Sequence, residues 1–264
     1  MGLMKIIRMR LAFCVVVLLF LMGINQLQCA EGLRPAMAGG GADSVAAKLH
    51  YPTKERDSKT EAAVVFFCEV AADGRAKNIR TYWNKGCDNF GSAVEKALNQ
   101  GRFTPAMVGG KPTPVLIGAT VFFLAHGEHP TVVLSMAAAN KQKAVAMQNY
   151  IQPQMIGTDA DFRRKLWNLI TAAKVLVNDI KANAEVLATV DADGNLLYTK
   201  LVGESSKNGG WGDVLVKAMS GAKFIPASNN GKPEPGEFTW AVRYNDTYHP
   251  DYIGTGSHIR HESE

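Results

Sequence analysis

The sequence predicts an α+β fold made of two similar domains, each with the element order strand, strand, helix, strand. The first observation is a motif that occurs twice, as RFTPAMVGGKP at 102–112 and as KFIPASNNGKP at 223–233. The second is an Asp-Gly turn upstream of each copy, at 73–74 and 193–194. The two features recur in the same order, and each second copy lies about 120 residues after the first, which indicates an internal duplication. In each domain we expect a helix packed on a three-stranded antiparallel sheet.

The first copy shows the change from strand period to helix period that this fold requires. EAAVVFFCEV (61–70) places apolar residues at every second position, and after the turn KNIRTYW (77–83) forms a second strand. From Phe90 the apolar residues recur at helical spacing, until Pro105 prevents the helix from continuing. The very apolar TPVLIGATVFFL (113–124) is the predicted third strand.

The second copy follows the same plan. NAEVLATV (183–190) and NLLYTKLV (195–202) are the predicted strands before and after the second turn. A helix near Trp211 follows, and EFTWAVRYN (237–245) is the third strand. The apolar spacing also predicts a helix that starts at Asp159 and packs on the second domain.

The residues of the repeated pattern have structural explanations. A basic residue at the helix end complements the helix dipole, the following Phe points into the core, and Pro forces the chain out of the helix. Asp-Gly suits a tight turn, and Gly-Lys-Pro turns the chain into the third strand. This fold signature consists of Asp73, Gly74, Phe103, Pro105, Gly110, Pro112, Asp193, Gly194, Phe224, Pro226, Gly231 and Pro233.

Residues 1–30 have the composition of a secretion signal. KIIRMR precedes the apolar run LAFCVVVLLFLMGI (11–24), which is shorter than the ~20 residues that a membrane-spanning helix needs. A signal peptide cleaved after Ala30 is the favoured interpretation. The alternatives are an uncleaved inner-membrane anchor and a lipid anchor at Cys29. In each case the chain leaves the cytoplasm, and cleavage would make it periplasmic or secreted.

These observations divide the chain into six segments. We expect a signal peptide at 1–30, a flexible leader at 31–46, a first domain at 47–130, a helical linker at 131–158, a second domain with an added N-terminal helix at 159–248, and a flexible tail at 249–264. The leader is rich in glycine and alanine and lacks a period. In the linker, which is rich in alanine and lysine, Ser135 is the candidate N-cap.

The charge balance gives no support for a nucleic-acid partner. The net charge is +5, but Lys5, Arg8 and Arg10 belong to the signal segment, and without them the net charge falls to +2. Nucleic-acid-binding domains carry a clustered basic face. We therefore expect no nucleic-acid partner, and membrane contact only through the N-terminal segment if it is uncleaved.

The sequence lacks three common catalytic and nucleotide-binding motifs, namely G-x-S-x-G, H-E-x-x-H and the P-loop. HIRH (258–261) has a spacing that suits a metal, but it lies in a polar tail without nearby cysteines. Asp73 and Asp193 each precede a glycine in a turn, where Asp is favoured for local hydrogen bonding. We therefore expect a protein that is not an enzyme and has no metal and no cofactor.

Cys68 and Cys87 are the cysteines that remain without the signal segment. An oxidising compartment permits a disulfide between them. If 73–74 is a hairpin turn, Cys68 lies opposite Ile79, and Cys87 falls beyond the end of that strand. The distance between their Cα atoms would then exceed the ~7 Å limit for a disulfide, unless the chain doubled back after the strand. A disulfide and two buried thiols both stay open.

This pattern resembles the C-terminal domain of the TonB family, which shows F-x-V, D-G-R, S-S-G, A-L, R-F-x-P-A and G-x-P in that order. The matching segments of the first copy are Cys68-Glu69-Val70, Asp73-Gly74-Arg75, Asn84-Lys85-Gly86, Ala97-Leu98 and Arg102-Phe103-Thr104-Pro105-Ala106. The second copy keeps Ser205-Ser206 and KFIPA at 223–227. The resemblance covers residues 50 to 125 and 183 to 245.

The resemblance implies a periplasmic docking module that binds a protein partner, such as an outer-membrane receptor. Energy-transducing members of the family contact outer-membrane transporters by adding a strand at an exposed sheet edge. The two third strands would supply the candidate edges. The candidate partner-binding residues are Val115, Ile117, Ala119, Val121, Phe123, Phe238, Trp240 and Val242.

The chain also departs from the TonB energy transducers. Its apolar segment is short, and its 11 prolines form no run that would make a periplasmic spacer. We therefore favour an exported cell-envelope interaction protein over an inner-membrane-anchored energy transducer. A secreted enzyme or small-ligand binder that uses the groove between the domains is the third hypothesis. The oligomeric state stays open and includes a homodimer.

Overall fold

The computed structural model describes residues 32–83, 86–125, 129–137, 149–173, 183–204 and 210–243, so the predicted signal peptide and tail lie outside it. The strands are β1 (Leu33–Arg34), β2 (Ala62–Val70), β3 (Ala76–Tyr82), β4 (Met107–Val108), β5 (Lys111–Pro112), β6 (Val115–Leu124), β7 (Thr131–Ser135), β8 (Tyr150–Ile151), β9 (Gln154–Ile156), β10 (Asn183–Val190), β11 (Leu196–Glu204), β12 (Phe224–Ile225), β13 (Ala227–Asn229), β14 (Lys232–Glu234) and β15 (Gly236–Arg243). The helices are α1 (Val45–Lys48), α2 (Thr53–Asp57), α3 (Asp88–Gln100), α4 (Asp159–Ala173) and α5 (Trp211–Met219). The α+β class with antiparallel sheets is confirmed. None of the described helices is long and apolar enough to cross a membrane.

The first unit, from β2 to β6, is built on β2. This strand pairs with β3 on one side and with β6 on the other. Its alternate side chains Val64, Phe66, Cys68 and Val70 are fully buried in the core that α3 closes with Phe90. The sequence produces this arrangement because a strand with period two and a helix with period 3.6 each offer one apolar face.

The second unit, from β10 to β15, is built on β10, which pairs with β11 and with β15. Val186, Ala188 and Val190 of β10 are fully buried. Trp211 of α5 and Leu166 of α4 belong to the same core, so the added helix that the sequence predicts packs on this unit.

The repeated motif forms the same corner in both units; we call 102–112 the first corner and 223–233 the second. Phe103 N donates to Gly74 O at 2.8 Å, and in the second unit Phe224 N donates to Gly194 O at 3.0 Å. A Cβ on Gly74 would lie only 2.2 Å from Phe103 O. A Cβ on Gly194 would lie 2.1 Å from Phe224 O. The turn glycine and the corner phenylalanine therefore form one contact, which occurs twice.

The basic residue of each corner contacts the hairpin turn. Arg102 Nη1 donates to Asp73 O at 3.0 Å. Lys223 Nζ donates to Asn195 Oδ1 at 3.1 Å. The sequence argument assigned these residues to the helix dipole, whereas the structure shows that they tie the turn to the corner.

The segment predicted to be a flexible leader is ordered; we call residues 32–44 the first strap. Its strand β1 pairs with β4, and Met37 exchanges two backbone hydrogen bonds with Thr104 of the first corner. Ala36 is fully buried, as is Val45 of α1, which follows the strap. The prediction was wrong because a two-residue strand is too short to show a period.

The predicted helical linker is extended where the structure describes it. Ser135, the candidate helix N-cap, ends strand β7, and its Oγ accepts a hydrogen bond from Ala137 N. We call 149–158 the second strap; its strands β8 and β9 pair with β13 and β12 in the second corner. Residues 138–148 lie outside the described residues. A strap therefore packs on each corner.

The sheet of the first unit has six strands, whereas the sequence predicted three. Strand β6 also pairs with β7 and β9, and β9 continues the sheet to β12. Segments that follow the first unit in the chain thus complete its sheet.

The structure contains no disulfide between Cys68 and Cys87, which are both free. Cys68 is buried in β2, and burial raises the pKa of its thiol far above the usual value, against the lowering effect of Arg80. A protonated, enclosed thiol is chemically inert.

Candidate partner-binding edges

Strand β6, the first predicted docking edge, is covered on both sides. One side pairs with β2 along its length. On the other side, β7 pairs with Thr120 to Leu124, and β9 pairs with Val115 and Leu116. Between them Gln152 donates a hydrogen bond from Nε2 to Gly118 O. An added strand would have to displace all of these groups.

The side chains that were predicted to bind a partner from β6 are also enclosed. Val115, Ile117, Ala119, Val121 and Phe123 all belong to the core closed by α3. The prediction is wrong for these residues, because neither their backbone nor their side chains are available at the surface.

Strand β15, the second predicted edge, pairs with β10 only, as far as the described residues show. Its outward amides can be identified from the hairpin. Asp191 N donates to Asn195 O, so the main-chain groups of Asp191 point towards β11. Successive residues of a strand direct their N–H and C=O to alternate sides, and Ala188, three residues before Asp191, therefore directs its groups towards β15. Its partner Phe238 therefore bonds to β10, and Thr239 directs its N–H and C=O away from the sheet.

The apolar residues of β15 cannot contact a partner through their side chains. Phe238, Trp240 and Val242 are buried in the core of the second unit. The structure thus corrects the role predicted for them: they hold the strand in place, and its main-chain groups form the available edge.

Trp240 connects this edge strand to the first unit. Its ring packs edge-to-face on Phe67 of β2, with centroids 5.4 Å apart, and on Phe162 of α4 at 6.0 Å. The guanidinium carbon of Arg80 lies 4.8 Å from the centre of the Trp240 ring. This cation–π contact is buried, where such contacts are strongest.

A cluster of four charged side chains fixes Arg80 and helix α4. Asp159 accepts from Arg80 Nη2 at 3.2 Å and from Arg163 Nε at 2.5 Å. Its backbone N donates to Glu69 Oε2 at 2.9 Å. Two guanidiniums and two carboxylates balance each other in a site where isolated charges would be very unfavourable. The position of β15 is therefore set by the first unit.

The other edge of the second sheet, β11, was missed by the sequence argument. Leu197, Tyr198 and Val202 are each more than half exposed on it. NLLYTKLV carries apolar residues on both faces of the strand, and this pattern could have predicted that some of them are exposed. However, its pairing with β10 is interrupted by two register shifts, and such bulges protect edges against further pairing. Strand β15 has no such interruption.

The described residues contain no group of three or more His, Cys, Asp or Glu side chains that could hold a metal ion. Partial burial raises the pKa of Asp191, but hydrogen bonds from Asn195, Asp193 and Gly194 outweigh it and lower the pKa below its usual value. Asp191 is therefore a turn-stabilising carboxylate.

The architecture defines a pair of helix-on-sheet units. In one unit the third strand is covered on both sides, and in the other its outer side has no strand partner among the described residues. Residues 47–124, which contain the first unit, match the family model described as Gram-negative bacterial TonB protein C-terminal. The predicted resemblance to this family is confirmed for residues 47–124, which are 78 of the 264 residues. No curated protein and no solved structure matches the chain.

Proposed function

We propose that this chain is an exported, non-enzymatic interaction protein of the cell envelope that binds a protein partner by strand addition at β15. The observation that carries the proposal is the contrast between two equivalent strands. The outer side of β6 is occupied by β7, β9 and Gln152, whereas β15 has an unbroken register with β10 and outward amides at alternate residues. Such amides provide the affinity in strand addition.

The proposed partner is an outer-membrane receptor, and the proposed location is the periplasm. The TonB family match of residues 47–124 supports both, because members of that family interact with outer-membrane receptors. The tandem arrangement of two such domains is part of the proposal, and the corner contacts at Gly74 and Gly194 support it.

Replacement of Thr239 by Pro tests the docking edge. Thr239→Pro removes an outward N–H without removing a hydrogen bond to β10, while Thr239→Val keeps the N–H and serves as the matched control. We expect Thr239→Val to capture the same outer-membrane protein from a detergent extract of a Gram-negative envelope as the native chain. Thr239→Pro should lose most of that capture at an unchanged melting temperature.

Hydrogen exchange on the purified complex provides the second measurement. The outward amides of Glu237, Thr239 and Ala241 should exchange more slowly when the partner is bound. Full capture by Thr239→Pro, or protection that excludes these three amides, would show that β15 is not the docking edge.

A further inference from the structure

A cleft of about 790 Å³ lies beside the first strap and the second corner. The first strap lines it from Leu33 to Gly40, and the second corner from Ile225 to Pro233. Met136 and Tyr150 lie between these two segments in the chain and also line it. This volume falls in the range of binding sites for small ligands and short peptides.

As far as the structure describes it, the lining combines apolar and uncharged polar side chains with a single charge. Leu33, Met37, Leu134 and Ile151 contribute hydrocarbon surface, and Arg34 is the one charged side chain among the described residues that line the cleft. The described part of the lining contains no carboxylate that could neutralise it. A ligand with apolar side chains and one negative group therefore complements the cleft in both polarity and charge.

The strap presents main-chain groups on the side away from β4. Gly32 O accepts from Gly109 N at 3.0 Å, which places the pairing of Gly32 on the β4 side. The N–H and C=O of Leu33, one residue further along an extended chain, point the other way. Within the described residues, β1 pairs with β4 alone, so this side of the strap has no strand partner.

Further along the strap, Ala36 also directs its N–H and C=O away from the first corner, because its neighbour Met37 pairs with Thr104. There Gln154 takes the place of an added strand. Its buried carboxamide accepts from Ala36 N at 2.7 Å and donates to Ala36 O at 2.8 Å. These are the two hydrogen bonds that a residue of an added strand would make. The side chain of Gln154 thus acts as a one-residue strand at Ala36. Pro35 has no N–H, so the next residue towards the N-terminus that directs both main-chain groups away from β4 is Leu33.

We propose that the cleft binds an extended peptide segment of a partner protein, which adds to the first strap and places an acidic side chain or terminal carboxylate at Arg34. The apolar lining receives its neighbouring side chains. A hydrocarbon ligand fits less well, because it would cover the N–H and C=O of Leu33 without pairing them. This site is separate from β15 and does not depend on the function proposed for that strand.

Selection from a phage-displayed library of random octapeptides on the full chain tests the site. We expect enriched peptides to combine apolar residues with one Asp or Glu. Selection on Arg34→Glu should enrich Lys or Arg at the same place. Synthetic copies of the enriched peptides should bind Leu33→Pro about tenfold more weakly, because one main-chain hydrogen bond is lost.

Three controls separate the outcomes. Leu33→Val keeps the N–H and should bind the peptides like the native chain, provided that both Leu33 variants melt at the native temperature. Thr239→Pro should also bind them normally, which separates this site from β15. Failure to enrich any peptide, the same peptides on Arg34→Glu, or binding of dodecanoate in place of peptide would each overturn the proposal.

Discussion

The two units share a corner and an element order but differ in the fate of their third strand. In the first unit β6 lies inside a six-stranded sheet, and in the second unit β15 ends a three-stranded sheet. The difference arises outside the units, since β7 and the second strap cover β6. Equivalent strands can therefore have different accessibility, and the neighbouring chain decides which one is available to a partner.

The largest expected effect is on the cluster that ties the second unit to the first. Asp159→Ala removes the carboxylate between Arg80 and Arg163 and leaves a buried guanidinium without its counterion. We expect a loss of about 3–5 kcal/mol in the free energy of unfolding, measured with urea. Asp161→Ala, whose exposed ion pair with Arg164 lies on the same helix, should cost less than about 1 kcal/mol. Similar losses in the two variants would refute this role of the cluster.

The second prediction tests whether the two corners are equivalent. Gly74→Ala and Gly194→Ala each place a Cβ against a carbonyl oxygen at positive φ, so each should lower the free energy of unfolding by about 2–3 kcal/mol. Gly109→Ala also has a positive φ, but no atom lies near its Cβ position, and about 1 kcal/mol is expected. Markedly unequal losses at Gly74 and Gly194 would contradict the equivalence of the corners.

The third prediction concerns the covering of β6. Gln152→Ala removes the donor to Gly118 O at the gap between β7 and β9, and we expect a loss of about 1 kcal/mol. Hydrogen exchange should become faster in the neighbouring part of β6. Asn149→Ala removes an exposed hydrogen bond to Asn230 in the same strap and should change the free energy by less than about 0.5 kcal/mol. Unchanged exchange in Gln152→Ala would show that Gln152 does not close the edge.

The smallest expected effect distinguishes the two hairpin turns by pH. Asp191 has a lowered pKa, and Ala71 stands at its place in the first unit. The pKa of Asp191 in the folded protein lies below its unfolded value of about 3.9. Its contribution to the free energy of unfolding is therefore complete above about pH 3.9 and is lost as the pH falls through the folded pKa.

The melting temperature of Asp191→Asn, compared with that of the native chain from neutral pH to about pH 2, measures this effect. The difference between them should stay constant above about pH 4 and shrink below it. A difference that is independent of pH would exclude Asp191 as the acid-sensitive group.

The sequence allowed the corners and the main elements to be predicted, because each leaves a periodic or turn-specific pattern. Gly74 and Gly194 could be found from their place before the second strand, and helix α4 from its apolar spacing. The straps were missed because strands of two or three residues have no measurable period. A clue was nevertheless present, since PAMAG at 35–39 recurs as PQMIG at 153–157.

The candidate site was predicted only in part. The third strands were identified, but strand pattern does not reveal which edge is covered, because covering depends on contacts between distant segments such as Gln152 and Gly118. The charge cluster was likewise invisible, since Arg80 and Asp159 are far apart in the sequence and look like surface residues. Main-chain accessibility is a tertiary property.

The covering of β6 also has a consequence for the order in which the protein folds. As the chain is made from its N-terminus, β7 follows β6 almost at once and can shield half of this apolar strand by a local hairpin. The second strap comes next, and β12 joins last, when the second unit is nearly complete. The very apolar strand β6 can thus be protected by its nearest neighbour in the chain before the second unit exists, and β15 comes last in chain order among the described strands.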